Sequence, residues 1–236
     1  QYRNFSGLNL TWELREAIAK HATRWDSPEY HDEFPPGPPS LEAQLVEVAD
    51  SVAYDNHDLD DGLSAGIIHE KDLQDIEIWA RASRAVEKRH GPDEGDMRNR
   101  EIVRYLINLF SSNLIEETER RLEEGEIESV QDVRERDGNL VGFSPDLRRQ
   151  KDELQEFLFE TLYRDHRVVR ETSKAERLLR HIFRAYVEDQ RQLPPEYQEW
   201  AEEVGVHRAV CDYVAGMTDR YAQEQYLQLF QPYQKL

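Results

Sequence analysis

One cysteine, two methionines and no long apolar run deprive this chain of the usual devices for stapling or anchoring a fold. Cys211 by itself excludes an internal disulfide and suits a reducing compartment. Its place beside Val210 and Tyr213 in a helical pattern marks it as a buried structural thiol rather than a nucleophile. No hydrophobic stretch approaches the roughly 18 residues of a membrane span, so a soluble, cytoplasmic protein with no membrane partner is expected. The start, Gln1-Tyr-Arg-Asn-Phe5, lacks the basic then apolar order of a signal peptide and reads as a truncated or proteolysed end. Basic residues are also in deficit. Thirty Lys and Arg against 49 Asp and Glu give a formal net charge of -19, and the cations are interleaved with acids. Broad wrapping of nucleic acid needs clustered cations, so charge does not support a nucleic-acid partner beyond a local basic patch.

β-branched alternation is scarce too, and ten prolines and eleven glycines gather in a few loops, so the chain is expected to be all-α. Thr11 caps a helix with Leu14, Ile18, His21 and Trp25 on one face. After Phe34-Pro-Pro-Gly-Pro-Pro39, Ser40 is an N-cap with Glu42 in the first turn, and Leu41, Leu45, Val46 and Ala49 make a buried first half. A pattern through Leu73, Ile76, Trp79 and Ser83 stops at Gly91-Pro92. Asp96 caps a long helix carrying Ile102, Leu106 and Phe110. From Gly125 to Phe143 the periodicity breaks down. Ser144-Pro145 opens a helix with Leu154, Phe157 and Leu158, and Ser173-Lys-Ala-Glu176 reads as a capping box for the next. The last helical region covers about 206 to 230, with a close approach or bend at Gly216.

The informative segment is Asp50-Ser-Val-Ala-Tyr54-Asp-Asn-His57-Asp58-Leu-Asp60-Asp61. At about 100° per residue, Asp50, Tyr54, His57, Asp58 and Asp61 share roughly one quadrant of a helix, with Val52, Leu59 and Leu63 elsewhere. An acidic stripe in an acidic chain is usually solvated surface. Placed beyond an apolar first half, the same stripe reads as the lining of a polar cavity, where buried carboxylates need a cation or donors.

Residues 40 to 66 resemble the segment that closes the metal site in HD-superfamily deoxynucleoside triphosphate triphosphohydrolases, the dGTPase-like enzymes. Gly7-Leu-Asn-Leu-Thr11, Glu153 to Arg164 and Asp212 to Ala222 are similar to the same family in the same order, so the resemblance covers essentially the whole chain. It implies a multi-helix HD-domain-like fold, with residues 1–90 completing the metal and substrate site and 91–236 a C-terminal helical extension. By the match Asp50 is a metal ligand, and Tyr54 and Asp58 contact the deoxyribose. Arg104, on a core helix, is a further candidate for a phosphate, against the commoner roles of snorkelling or pairing with an acid.

The family also binds its metal through a His and a His-Asp doublet upstream of the Gly-Leu-Asn-Leu-Thr stretch, and nothing of that kind precedes Gly7. His31-Asp32 and His57-Asp58 follow it and are not taken as that doublet. The resemblance therefore implies the C-terminal part of a larger homo-oligomeric enzyme, with the N-terminal part missing. Its substrates would be deoxynucleoside triphosphates and its cofactor a divalent ion such as Mg²⁺ or Mn²⁺. One aspartate cannot hold such an ion tightly, so this chain alone is expected to bind metal incompletely and to be inactive. Two other classes stay open: a regulatory module that binds nucleotides without catalysis, and a helical assembly protein whose acidic stripe is only surface.

Overall fold

A computed structural model describes residues 4–5, 7–21, 33–91 and 95–232, and every regular element among them is helical. The helices are α1 (Trp12–Ala19), α2 (Leu41–Ser64), α3 (Glu77–His90), α4 (Asp96–Glu124), α5 (Val130–Arg134), α6 (Pro145–Leu158), α7 (His166–Glu188), α8 (Pro195–Val204), α9 (Val206–Ala215) and α10 (Asp219–Phe230). Single turns of 3₁₀ helix sit at Glu70–Leu73 and Gln190–Gln192, and a π-helical turn, Phe159–Tyr163, follows α6. The chain forms two compact units, Gln1–Tyr163 and Arg164–Leu236. No helix among the described residues is long and apolar enough to cross a membrane.

In the first unit α2 and α3 pack on the long α4, and α6 packs on α2 and α3. Leu59, Ile78, Trp79, Ile102, Leu106, Phe110, Leu154 and Leu158 are fully buried between them. Each comes from an i, i+3 or i, i+4 repeat, the spacing that puts residues on one side of a helix. Ser40 caps α2 by accepting from the Ala43 N–H, and Pro145 at the first position of α6 has no N–H to strand. Gly62 permits a close approach at the far end of α2. A Cβ there would meet Ile68 Cδ1 at 2.6 Å, and Leu162 Cδ1 at 3.5 Å. The segment that carries no clear periodicity holds the short α5, and the stretch after it is ordered by side chains. Arg121 donates to the carbonyls of Leu140 and Phe143, and Phe143 stacks edge-on against Phe110 at 5.6 Å.

The first half of α2 departs from the expected buried element: Leu45 is 47% and Val46 64% exposed, and Gln44 is buried instead. The reason is hydrogen bonding. The Gln44 amide donates to Pro39 O at 2.8 Å, and its oxygen accepts from Leu140 N at 2.7 Å and Val141 N at 3.1 Å. A single amide closes two strands of loop backbone that would otherwise lack partners. In α1, likewise, Leu14 and Ile18 are exposed and Glu16 is buried, because Lys20 and Arg134 hold its carboxylate at 2.7 and 2.8 Å. The expected Trp25 on that face, and the His31-Asp32 doublet, lie outside the described residues.

In the second unit α7, α9 and α10 pack around Ile182, Tyr186, Val210, Tyr213 and Ala222, with α8 on α9. Here α7 begins at His166, seven residues before the expected capping box. Asp165 caps it by accepting from the Arg167 N–H, so Ser173 sits inside a helix that has already nucleated. The last helical region breaks into α9 and α10, with Gly216 as the C-cap of α9 and Thr218 as the N-cap of α10. Cys211 is exposed, contrary to the buried thiol expected. It lines an open apolar groove of about 320 Å³ with Leu179, Phe183, Val214 and Met217, so its helical neighbours are buried on another face.

Candidate functional site

Helix α2 carries two polar stripes one residue out of phase. Asp50, Tyr54, His57 and Asp61 recur at the same intervals as Ser51, Asp55, Asp58 and Gly62, so the stripes are about 100° apart. The first is exposed along its length, with Tyr54 63% exposed. The second faces α6 and the π-helical turn.

The docked stripe holds a buried ion pair. Lys151 Nζ lies 2.6 Å from Asp55 Oδ2, with the two side chains only 5% and 9% exposed. Lys151 also donates to Ser51 Oγ at 2.7 Å, and the Gln155 amide donates to Asp55 Oδ1 at 3.0 Å and to Ser51 Oγ at 3.3 Å. Burial raises the Asp55 pKa above the ordinary aspartate value; Lys151 and Gln155 oppose that shift without cancelling it. A buried carboxylate needs such partners to remain tolerable, and the Lys151 ammonium and the Gln155 amide supply them.

One turn further along, the Tyr163 hydroxyl donates to Asp58 Oδ2. Tyr163 ends the π-helical turn, whose wider winding follows α6 and delivers the phenol to α2. Its pKa is raised, first by burial, then by the hydrogen bond and the negative charge of Asp58. The phenol therefore stays protonated and remains a donor. Asp58, grouped from the sequence with Asp50, Tyr54, His57 and Asp61, is half-buried and fixed by this contact at the boundary between the stripes.

Tyr54 and Asp58 thus lie in the second half of α2, about one and two turns beyond Asp50. Asp50 is exposed and has no hydrogen bond or ion pair among the described residues. Arg104 is 71% exposed on α4 and pairs with Glu101 of its own helix at 2.6 Å; no hydrogen bond or ion pair joins it to Asp50, Tyr54 or Asp58. Among the described residues no group of three or more His, Cys, Asp or Glu side chains could hold a metal ion. One exposed carboxylate does not supply the several ligands in fixed geometry that a hard divalent ion requires. These residues by themselves do not fit that ion.

A family model described as a phosphohydrolase-associated domain matches residues 141–228. A deoxyguanosinetriphosphate triphosphohydrolase-like protein of Geobacter metallireducens is 39% identical over 238 residues, covering 100% of this chain and 62% of its own length. Proteins of the same description from Bordetella pertussis and Azoarcus sp. are 42% and 41% identical, each over 98% of this chain and 61% of their own length. The chain is homologous to the dGTPase-like triphosphohydrolases. It spans about three-fifths of the length of the triphosphohydrolase-like relatives it matches.

Asp55, Lys151, Gln155 and Tyr163 were not among the site residues expected from the sequence, which placed Tyr163 among the core aromatics. A signal for them was there. Leu147, Lys151, Leu154 and Leu158 share one helical stripe, so a lysine occupies a core position and must meet a buried acid.

Proposed function

We propose that this chain forms part of a deoxynucleoside triphosphate triphosphohydrolase, an enzyme that releases a deoxynucleoside and intact triphosphate. The observation that carries the reading is homology along the whole chain to triphosphohydrolase-like proteins of greater length. In that reaction water attacks the phosphorus next to the nucleoside, the bond from phosphorus to O5′ breaks, and the deoxynucleoside oxygen takes up a proton. Asp50 would be one ligand of a divalent ion whose other ligands lie outside the described residues. Tyr54 and Asp58 would contact the deoxyribose, the carboxylate accepting from a sugar hydroxyl while Tyr163 holds its other side. Arg104 would meet a phosphate only by leaving Glu101.

The exposed side of α2 supports this division. Leu45, Val46, Ala49, Asp50, Ala53 and Tyr54 are all exposed there, a mixture of apolar and ligand-type side chains suited to being covered by more protein. On this reading residues 1–90 complete the metal and substrate site and 91–236 form the helical extension. The enzyme acts as a cytoplasmic homo-oligomer.

The test is chromatographic analysis of products from each deoxynucleoside triphosphate with Mg²⁺ or Mn²⁺, using this chain beside a form extended to the relatives' length. Deoxynucleoside and intact triphosphate are expected from the extended form and not from this chain. Asp50→Ala in the extended form should abolish turnover, and full activity in that variant would remove Asp50 from the metal site. Nucleotide binding without product from the extended form would instead favour a regulatory module.

A further inference from the structure

Helix α7 is basic in an acidic chain. Residues 1–163 hold 37 acidic against 19 basic side chains, whereas residues 164–236 hold 12 against 11, and α7 alone carries six basic against three acidic. The basic groups are ordered. Arg167, Arg170, Lys174, Arg177, His181 and Arg184 recur at alternate steps of three and four residues, and all are exposed. At about 100° per residue they fall within roughly 100° of the helix surface, along about 25 Å of its length.

Some of these cations are neutralised nearby: Arg167 by Asp165 at 2.9 Å and Lys174 by Glu171 at 3.2 Å. Arg170, Arg177 and Arg184 have no hydrogen bond or ion pair among the described residues. They stand seven residues apart, about 10 Å from one to the next on one line. Like charges repeated along one helix face repel, so this arrangement costs stability unless an anionic surface lies against it.

The chain itself contains the complementary pattern. On the C-terminal half of α4, Glu116, Glu119 and Glu123 are exposed, and their side chains have no hydrogen bond or ion pair among the described residues. Their steps of three and four mirror the four and three of Arg170, Lys174 and Arg177, so two antiparallel helices would set the charges opposite each other. Glu196, Glu199 and Glu203 on α8 repeat the spacing, but on a ten-residue helix in the second unit, whose charge is nearly balanced.

We infer that the basic stripe of α7 seats the acidic α4 stripe of a second copy of this chain. The inference names the surface for the homo-oligomer proposed above and rests on that reading. Because the two stripes differ, the contact is head-to-tail, and each copy offers one free stripe of each sign until a ring closes. Guanidinium forks suit paired carboxylates, and such a contact should be sensitive to ionic strength.

The test is sedimentation of the chain across a range of concentrations at about 50 and about 300 mM salt. The wild type should associate, less so at the higher salt. Arg177→Glu should weaken association by about tenfold or more, and adding Glu116→Arg should restore it. Both changes are at exposed positions, and circular dichroism checks that the helices persist. A monomer at every concentration would overturn both the homo-oligomer and its surface. Association that ignores Arg177→Glu would overturn the surface and leave the homo-oligomer standing, and rescue by Glu196→Arg alone would overturn the α4 assignment. Binding of a fluorescent single strand of about 20 nucleotides, lost in Arg177→Glu while association is unchanged, would overturn it in favour of a phosphate backbone.

Discussion

Tyr163 gives Asp58 a direction. An isolated carboxylate at the end of a helix would sample several rotamers, whereas one held by a phenol presents its remaining lone pairs along fixed lines. Tyr163→Phe keeps the ring beside Phe159, 6.4 Å away, and removes only the donor. It should cost about 1 kcal/mol or less in urea unfolding, since the pair is partly solvated. In the extended enzyme it should lower discrimination for deoxyribose over ribose; unchanged discrimination would separate Tyr163 from substrate selection. The phenol also has a pH signature. Its folded pKa is raised, so its contribution to stability is present below the ordinary tyrosine value of 10.0 and is lost as pH rises through the folded value. Ultraviolet titration should show one fewer late-ionising tyrosine in the variant.

At the scale of elements, the Lys151 and Asp55 pair decides how α6 sits on α2. Lys151 interrupts the stripe of Leu147, Leu154 and Leu158, and Ser51 and Asp55 receive its ammonium where a leucine would otherwise pack. Breaking such a pair leaves one buried charge without compensation, which costs about 3 to 5 kcal/mol. Lys151→Ala should therefore lose that amount in chemical unfolding. Replacing both partners together, Lys151→Met with Asp55→Leu, should recover most of it. Equal losses from the single and the double change would show that packing, not charge, governs the contact. Gly62 serves the same interface at its other end, where Ile68 and Leu162 close over a position with no room for a side chain.

For the whole molecule, two buried carboxylates make stability respond to acid in opposed ways. Glu117 accepts from Arg120 and Arg121, which hold its pKa down to about 2. Its contribution is present above the ordinary glutamate value of 4.5 and is lost as pH falls toward 2. Asp55 has the opposite sign: its raised pKa gives stability below the ordinary value of 3.8 that is lost as pH rises through the folded value. Unfolding measured from neutral to acid pH should therefore flatten between 4.5 and 2 in Glu117→Gln. An unaltered profile would show that the two arginines do not act on Glu117 in solution.

The sequence by itself determined that the chain is helical and where most helices begin, because caps, prolines and apolar spacing are local and act before any tertiary contact. Ser40 and Pro145 illustrate it for helix starts, and Gly91 for a helix end. It also carried the family likeness and the polar stripe of α2. Tertiary structure decided which side of that helix is covered. Apolar Leu45 and Val46 are exposed while Gln44, Asp55 and Lys151 are buried, because a buried polar group is stable only where distant partners meet it, and periodicity does not record partners about a hundred residues away. The assignment of Asp58 to Tyr163 has the same cause: the wider turn after α6 changes the phase of the chain, and only the folded molecule shows where the phenol arrives.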